Sequence, residues 1–517
     1  MEENLLNVQK NQLISVAVKY HLNGNLDKAE KYYQKLLDQE SFDPLVLSNY
    51  GVICKQKGKI SEAISLYKKS ISLFPHSSEA YSNLGCLLME LNKTSEAEYY
   101  LKKSIGLNPN LANAQYNLGC ALKDLNKLEE AELATRKAIE LDPKLAKAHA
   151  NLGNILKNKG DLSKSKISLE LALKYDKDLP RTYFILSLLE SKKDDNNEWQ
   201  EYLFTRKILE KKRRNELVDI YFARSNVRHK QKNYRESAQY LKLANDLKYT
   251  GNKNQLESFI QKTENIKIKN NPISHGIQIN KKKSNIFIVG MPRSGSTLVE
   301  SILGMNQNVF NLGENNIFEN LFLKWQEENL TPQDFTELFS NKMENIVNNK
   351  KIITNKWLYN YQYTEAIIKL VPNAKIIHCQ RNALDNILSI YRANFAMGNC
   401  YASSLVETSK MYLNEDEIMA RFKKKYESKI FNLNYDSLVT NPEKEIKLVI
   451  SWLGWRWNDI YLKPHLNKRP ITTASSVQVR FPINSRSIKG WKNYKQMLKP
   501  AIEVLKTNQK FKDIEIK

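Results

Sequence analysis

The sequence predicts a multidomain protein in which an N-terminal all-α solenoid is followed by a P-loop-like α/β domain with a central parallel sheet. The N-terminal half repeats with a period of 34 residues, and an apolar run at Ile286–Val289 leads into a glycine-containing turn and a helix-forming segment. The chain has 517 residues, which exceeds what one hydrophobic core usually supports. We expect a solenoid over residues 1–265, a linker over 266–284 and a second domain over 285–517.

The period of the N-terminal half is carried by small and turn-forming residues at fixed positions. Glycine recurs at Gly51, Gly85, Gly119 and Gly153, alanine at Ala29, Ala63, Ala97 and Ala131, and proline at Pro75, Pro109 and Pro143. Small residues allow the two helices of a hairpin to approach closely, and the prolines end each second helix. A further position holds residue types that tolerate the left-handed conformation of a helix C-cap: Gly24, Gly58, Asn92, Asn126 and Gly160.

This is the pattern of tetratricopeptide repeats, with about five clear units between Leu13 and Asp176. The segment Leu217–Leu247 also predicts a helix pair, in which Asn233 and Ala238 repeat the spacing of the C-cap and alanine positions, so we interpret it as a divergent unit. A solenoid of this kind presents a concave groove. We expect the groove to mediate protein contact. The candidates for its occupant are a peptide substrate, a partner chain and the neighbouring domain alone.

The composition favours a cytoplasmic protein that binds no nucleic acid. A net charge of +24 would suit a polyanionic partner, but the lysines are spread along helix faces, with no basic stripe interleaved with aromatic residues. The first residues are acidic and polar rather than a secretory signal, and no apolar run reaches membrane-spanning length. The cysteines have no metal-ligand spacing and are expected to be reduced core residues: Cys54, Cys86, Cys120, Cys379 and Cys400.

The stretch Gly290–Thr297, GMPRSGST, lies between the apolar run and the helix-forming segment. In such a strand–turn–helix, backbone N–H groups and the positive end of the helix dipole converge and form an anion cradle. The spacing is that of a P-loop, except that Ser296 stands where a nucleoside-triphosphatase carries lysine. The cation is instead Arg293, whose planar fork suits phosphate oxygens. A packed turn without a ligand is the alternative.

The complete string resembles the 5′-phosphosulfate loop of sulfotransferases. The stretch 285–494 resembles protein-tyrosine sulfotransferases and bacterial proteins that join tetratricopeptide repeats to such a domain. The resemblance implies that 3′-phosphoadenosine 5′-phosphosulfate (PAPS) is the sulfuryl donor and that no metal is needed. It assigns the 5′ side of the donor to five loop residues: Arg293, Ser294, Gly295, Ser296 and Thr297.

Two further positions carry the chemistry that the resemblance implies. Glu314 stands in a stretch where the family has its catalytic base, and transfer to a hydroxyl requires such a group because one proton must leave. Lys356 follows a predicted strand, Lys351–Asn355, and matches the lysine that stabilises charge on the leaving bridging oxygen. Arg293 is expected to share in offsetting that charge.

Other motifs imply contacts to the nucleotide. Arg381 follows a predicted strand, Ala374–Gln380, and together with Ser389, eight residues later, it resembles the 3′-phosphate site that distinguishes PAPS from ATP. Ligands gather at the carboxyl ends of strands in an open α/β sheet, so this placement suits a binding site. Tyr435, which ends a predicted strand Lys429–Tyr435, resembles the tyrosine that packs near the adenine, with core packing as an equal alternative.

The last motifs lie near the C-terminus. Ser475 resembles the serine through which a loop closes over the nucleotide, with Ser476 as a close rival. The nearest family lysine of the 3′-phosphate site falls on Gly490, so Lys489 or Arg486 is expected to take its place. The motifs follow one another in the order of the family, which favours assigning them together.

The sequence is therefore interpreted as a PAPS-dependent sulfotransferase that binds PAPS and its product nucleotide. A protein tyrosine is the favoured acceptor, with a glycan or a small phenol left open. A P-loop kinase is the first alternative, but it would carry the loop lysine and a strand ending in aspartate for Mg²⁺, and both are missing. A non-catalytic repeat scaffold is the second, and the presence of Glu314, Lys356 and Arg381 argues against it.

Overall fold

The computed structural model describes residues 2–40, 42–189, 198–249, 256–258, 260–261, 266, 283–347, 350–395 and 399–514. The chain forms two units, Met1–Thr182 and Tyr183–Lys517. The division falls earlier than the predicted end of the solenoid at residue 265. Most of the predicted linker, 266–284, lies outside the described residues.

The first unit consists of consecutive helix pairs. Its helices are α1 (Glu2–Leu22), α2 (Leu26–Asp38), α3 (Pro44–Gln56), α4 (Ile60–Leu73), α5 (Ser78–Glu90), α6 (Thr94–Leu107), α7 (Ala112–Asp124), α8 (Leu128–Leu141), α9 (Ala146–Lys159) and α10 (Leu162–Tyr175). A Cβ added at Gly51 would lie 2.5 Å from Cε1 of Tyr67, and one at Gly153 would lie 2.5 Å from Cγ of Leu169. The periodic glycines are therefore required because paired helices touch at these positions.

The predicted left-handed positions are confirmed. The φ angles are 74° at Gly24, 77° at Gly58, 59° at Asn92, 60° at Asn126 and 95° at Gly160. At each of these positions the chain leaves one helix and enters the next, which is why glycine or asparagine recurs there.

The helices α13 (Arg214–Lys230) and α14 (Tyr234–Lys248) form a further helix pair, which belongs to the second unit. Two helices precede this pair: α11 (Pro180–Leu188), which crosses the boundary between the units, and α12 (Glu198–Leu203). The predicted register of α13 and α14 is wrong by one residue. Lys232 has the left-handed conformation, with φ of 60°, and Ser237 is the buried residue that follows it by five positions. Asn233 is instead the N-cap of α14, because its side-chain oxygen accepts from the N–H of Glu236 at 3.2 Å.

The second unit is built on a five-stranded parallel sheet with the order β2-β3-β1-β4-β5. The strands are β1 (Ser284–Val289), β2 (Val309–Asn311), β3 (Ile352–Asn355), β4 (Ala374–Gln380) and β5 (Ile430–Asn434). Four of them match predicted strands. Strand β2 was not predicted, since its three residues are too few to show a periodic pattern. Tyr435 begins a helix rather than ending a strand, because the side chain of Asn434 caps that helix.

Helices surround this sheet and bury its apolar strands. They are α15 (Ser296–Leu303), α16 (Ile317–Glu327), α17 (Pro332–Ile346), α18 (Thr364–Leu370), α19 (Ala383–Tyr391), α20 (Leu405–Lys425), α21 (Tyr435–Thr440), α22 (Pro442–Leu453) and α23 (Lys499–Leu505). Ile286, Ile288 and Ile377 are buried in one cluster with residues of α15 and α22. The carboxyl ends of β1, β3 and β4 consequently lie side by side at one edge, where the predicted site residues follow the strands.

Candidate active site

The turn between β1 and α15 is the loop that the sequence predicts as an anion cradle. It contains three residues with positive φ, namely Gly290 at 135°, Arg293 at 67° and Gly295 at 98°. A Cβ at Gly290 would lie 2.5 Å from the carbonyl oxygen of Cys379, so glycine is needed where the loop crosses β4. The left-handed conformation is unfavourable for arginine and persists where surrounding contacts hold it.

The side chain of Arg293 supplies such contacts. Its Nε donates to Oγ of Ser389 at 3.1 Å. Its terminal nitrogens donate to Oγ of Ser475 at 2.6 Å and to Oε1 of Gln478 at 2.7 Å. Burial, followed by the positive charge of Arg381, lowers the pKa of Arg293 to about 10, so the guanidinium stays charged at neutral pH. Arg293 therefore joins the loop to α19 and to the C-terminal serine segment.

The other loop residues lie around the start of α15. The Oγ of Ser294 is buried and has no hydrogen-bond partner within the described ranges. Gly295 packs against the ring of Tyr435, and a Cβ there would overlap the ring. Helix α15 begins at Ser296, and Oγ1 of Thr297 lies 3.3 Å from Oγ1 of Thr473. The loop thus offers an unpaired hydroxyl beside a helix N-terminus, as an anion site requires.

Arg381 lies at the end of β4, where it was predicted. Its side chain is buried, and its terminal nitrogens donate to the carbonyl oxygens of Arg293 at 3.1 Å and Ser487 at 2.9 Å. The guanidinium lies over the ring of Tyr435, with 4.8 Å between its carbon and the ring centroid. Its Nε is buried without a partner among the described residues. Arg381 therefore has one buried side-chain donor that the described residues leave unpaired.

A third arginine, Arg392, was missed by the sequence analysis. It follows Ser389 by three residues, and its buried Nε has no partner in the described part of the chain. Burial lowers the pKa of Arg392, and the positive charge of Arg381 lowers it further. No carboxylate of the described residues lies within 4 Å of the guanidinium groups of Arg293, Arg381 or Arg392. The available signal was the spacing of Ser389, in α19, and Arg392, the C-cap of α19, because residues three apart lie on the same side of a helix.

The two residues predicted for proton transfer and charge stabilisation are in contact. Nζ of Lys356 lies 2.6 Å from Oε1 of Glu314. The lysine side chain is 1% exposed and the glutamate side chain 44% exposed. The backbone N–H of Lys356 also donates to the carbonyl oxygen of Gly313 at 2.8 Å, which ties the end of β3 to the segment after β2. An exposed carboxylate backed by a buried ammonium group is an arrangement that can accept a proton from a bound hydroxyl.

Tyr435 packs between the loop and Arg381, and its hydroxyl lies 3.0 Å from Oγ of Ser487. Of the two rival serines, Ser475 is the one whose hydroxyl meets Arg293, while Ser476 is buried. The side chain of Lys489 is exposed and has no hydrogen bond or ion pair to the described residues. Arg486 is exposed as well.

The backbone of Lys489 is held in place by Asp385, another residue that the sequence analysis did not select. The carboxylate of Asp385 accepts from the N–H of Lys489 at 2.7 Å and from the N–H of Trp491 at 2.9 Å. The stretch Asn382–Asp385 has the residue types of a capping box at the start of α19, but no capping box forms there. Asn382 caps the helix alone, accepting from the N–H of Asp385 at 3.2 Å, because the carboxylate is engaged by the C-terminal segment. Burial raises the pKa of Asp385.

These features define the class of protein. Residues 285–459 match the sequence model of the sulfotransferase family, and tetratricopeptide models match residues 22–78, 66–99, 112–145 and 134–166. The chain therefore joins tetratricopeptide repeats in its N-terminal region to a C-terminal sulfotransferase-family domain.

Particular relatives are similar over part of the chain. A protein of Aquifex aeolicus described as uncharacterized is 32% identical over 259 residues, which are 45% of this chain and 34% of that protein. A protein-tyrosine sulfotransferase of Drosophila melanogaster is 24% identical over 237 residues, 41% of this chain and 48% of that protein. This chain thus matches about a third and about half of these two relatives. Among solved structures, MamA of Desulfovibrio magneticus RS-1 has a TM-score of 0.29 and 23% identity, covering 32% of this chain and 95% of that one.

No helix among the described residues is long and apolar enough to span a membrane. Within the same residues, no group of three or more histidine, cysteine, aspartate or glutamate side chains is arranged to hold a metal ion.

Proposed function

We propose that this chain transfers a sulfuryl group from PAPS to the hydroxyl group of an acceptor. One observation carries the proposal: the guanidinium groups of Arg293, Arg381 and Arg392 lie in one another's field, with no carboxylate of the described residues within 4 Å. Like charges held near one another and partly withdrawn from water repel, so an anionic ligand would stabilise this arrangement. PAPS carries two separate anionic groups, and the residues here form two neighbouring sets of donors.

The first set of donors belongs to the loop after β1. Ser294, with its buried and unpaired hydroxyl, and the N-terminus of α15 would hold the 5′-phosphosulfate, with Gly295, Ser296 and Thr297 shaping the backbone. Arg293 lies between the two sets of donors, because it is a residue of the loop and its Nε donates to Ser389, a residue of the second set.

The second set would hold the 3′-phosphate. Arg381 and Arg392 each offer a buried Nε without a partner in the described chain, and Ser389 lies between them in sequence. Tyr435 would lie beside the adenine, and Ser475 would close the site through Arg293. Lys489 is available to reach the phosphate because its side chain is exposed.

Proton removal and charge stabilisation are assigned to Glu314 and Lys356, whose side chains are in contact. When bound, PAPS supplies an activated sulfuryl group. Glu314 takes the proton of the acceptor hydroxyl as the new bond forms. Lys356 offsets negative charge that develops on the leaving oxygen, and Arg293 contributes to the same field. The buried position of Lys356 strengthens this effect, because water does not screen the ammonium group.

We further propose that the acceptor is a tyrosine of a protein or peptide. The support is the similarity to a protein-tyrosine sulfotransferase together with the tetratricopeptide repeats, whose groove suits an extended chain. The test incubates the protein with PAPS and three acceptors, a tyrosine peptide, a small phenol and a glycan. We expect the mass of one sulfuryl group on the peptide. Modification of the glycan alone would contradict the tyrosine acceptor.

The donor is tested separately by calorimetry with the 3′,5′-bisphosphate nucleotide, AMP and ATP. The bisphosphate should bind about tenfold or more tightly than AMP, because a charge-assisted contact is lost with the 3′-phosphate. Arg392→Gln should remove most of this preference, whereas Arg421→Gln, an exposed arginine on α20, should keep it. Equal affinity for AMP and the bisphosphate in the parent protein would contradict the PAPS donor, and a preference for ATP would favour a kinase.

A further inference from the structure

The helix pair α13–α14 touches both segments that border the set of donors assigned to the 3′-phosphate. On one side, Nδ2 of Asn245 donates to the carbonyl oxygen of Tyr391 at 3.0 Å. Nζ of Lys248 donates to Oδ1 of Asn394 at 2.9 Å and also to the carbonyl oxygen of Phe395. These contacts immediately flank Arg392, so the helix pair holds the end of α19 where that arginine lies.

On the other side, the helix pair binds Tyr494 at the end of the turn Gly490–Tyr494. The Tyr494 hydroxyl lies 2.7 Å from Nδ1 of His229 and 2.9 Å from Oγ of Ser237. The ring of Tyr494 is 2% exposed and stacks on the imidazole with 5.9 Å between ring centroids. The same ring faces Arg392, with 5.8 Å between the guanidinium carbon and the ring centroid. Tyr494 therefore connects the helix pair directly to an arginine of the site.

Ser237 occupies the position at which the clear repeats carry a small buried residue. Counting from the left-handed position, it corresponds to Ala29, Ala63, Ala97 and Ala131. Its Oγ donates to the carbonyl oxygen of Ser225 at 3.0 Å, as Ser165, one period after Ala131, does to that of Gly153 at 2.7 Å. Ser237 differs in two further contacts of its Oγ, which lies 2.9 Å from Oγ of Ser225 within the pair and 2.9 Å from the hydroxyl of Tyr494 outside it. Packing of the pair alone would be satisfied by alanine, so the hydroxyl of Ser237 has a further role.

We propose that Ser237, His229 and Tyr494 are positioning residues that set the geometry of the 3′-phosphate side of the nucleotide site. The inference rests on the proposed function, since it presupposes that this side takes a phosphate. Asp385 on α19 binds the N–H groups of Lys489 and Trp491, so the turn that Tyr494 ends is also fastened to the helix of Ser389. The hydroxyl of Tyr494 contacts His229 and Ser237 and its ring faces Arg392, so we expect a shift of Tyr494 to move Arg392 more than the loop after β1.

The test measures the ratio of the dissociation constants of AMP and the 3′,5′-bisphosphate in the full chain. Ser237→Ala and Tyr494→Phe should each lower this ratio by about threefold to tenfold, which corresponds to the loss of a neutral hydrogen bond, and should leave AMP affinity unchanged. Two matched controls should keep the parent ratio. Ser165→Ala changes the same repeat position in the first unit, and Tyr221→Phe removes a hydroxyl elsewhere on α13.

Two outcomes would overturn the inference while leaving the proposed function intact. In one, both variants keep the parent ratio. In the other, affinity for AMP and for the bisphosphate falls by the same factor, as a general loss of structure would cause. A parent protein without any preference for the bisphosphate would instead overturn the proposed function, and the inference with it.

Discussion

The ammonium group of Lys356 lies 2.6 Å from the carboxylate of Glu314, and the two side chains differ sharply in exposure, 1% against 44%. The pair lies where the end of β3 meets the segment after β2. The carboxylate is partly exposed to solvent, whereas the lysine is buried behind it. This asymmetry determines what the removal of each partner should do.

Glu314→Gln should lower turnover by about 10²–10⁴-fold with nucleotide affinity close to the parent value, because the change keeps the shape and removes the base. Turnover with saturating PAPS and calorimetry with the bisphosphate measure the two effects. Glu319→Gln is the matched control, since that carboxylate accepts from Nε1 of Trp357 at 2.9 Å and has no assigned role in proton transfer. A loss of less than about tenfold in Glu314→Gln would mean that another group is the base.

Glu314→Gln should also lower the free energy of unfolding of the second unit by more than Lys356→Met does. Glu314→Gln leaves a buried ammonium group without a counter-charge, at an expected cost of about 1–3 kcal/mol. Lys356→Met leaves only a carboxylate that water can solvate. Urea unfolding followed by tryptophan fluorescence measures the stability of the second unit, because all seven tryptophans lie beyond residue 198. The reverse order of stability would contradict this account of the pair.

His229 should make the second unit sensitive to acid. Burial, followed by the positive charges of Arg392 and Lys230, lowers the pKa of His229 from 6.5 to about 3. Between these values the unfolded chain binds a proton that the folded chain does not, so stability falls as the pH drops below 6.5.

The substitution His229→Asn keeps a polar side chain near Tyr494 and removes the imidazole that binds this proton in the unfolded chain. The parent should lose about 1–2 kcal/mol more than His229→Asn between pH 7.5 and pH 5. Tyr221→Phe, which alters α13 without changing a histidine, should follow the parent. Urea midpoints at the two pH values provide the measurement, and parallel losses in the parent and His229→Asn would contradict the prediction.

Fragments that begin at different residues should separate the roles of the N-terminal segments. A fragment from Tyr183 retains α13 and α14 and should bind the 3′,5′-bisphosphate as the full chain does. A fragment from Lys281 loses the contacts of Asn245 and Tyr249, whose hydroxyl donates to Glu407 at 2.6 Å, and should bind it weakly or aggregate. Equal affinity of the two fragments would contradict a role for the helix pair.

The longer fragment also tests the acceptor. If the repeats present a protein acceptor, the fragment from Tyr183 should retain activity on a short peptide or a small phenol and lose activity on the large acceptor. The assay compares the mass shift on both acceptors with that produced by the full chain. Full activity on the large acceptor would leave the groove without this role.

Much of the fold could be predicted because its signals are local. The glycines and asparagines of the repeats mark positions where φ is positive, and the apolar runs before Gly290 and Arg381 mark buried parallel strands. Errors arose where a residue could serve two local purposes. Asn233 suits both a left-handed turn and an N-cap, and Asp385 suits both a capping box and an acceptor for distant N–H groups. Tertiary contacts decided between these uses.

The sequence by itself determined which residue types follow each strand, since spacing and composition suffice to place a glycine loop, a glutamate, a lysine and an arginine in order. Only the tertiary structure decided which of them meet. Arg293 bonds Ser389 and Ser475 across 96 and 182 residues, and Tyr494 bonds His229 across 265 residues. Such contacts depend on the strand order β2-β3-β1-β4-β5 and on how the C-terminal segment folds back over the sheet edge. Neither has a periodic signature along the chain, because both arise from burial of surfaces that are far apart in sequence.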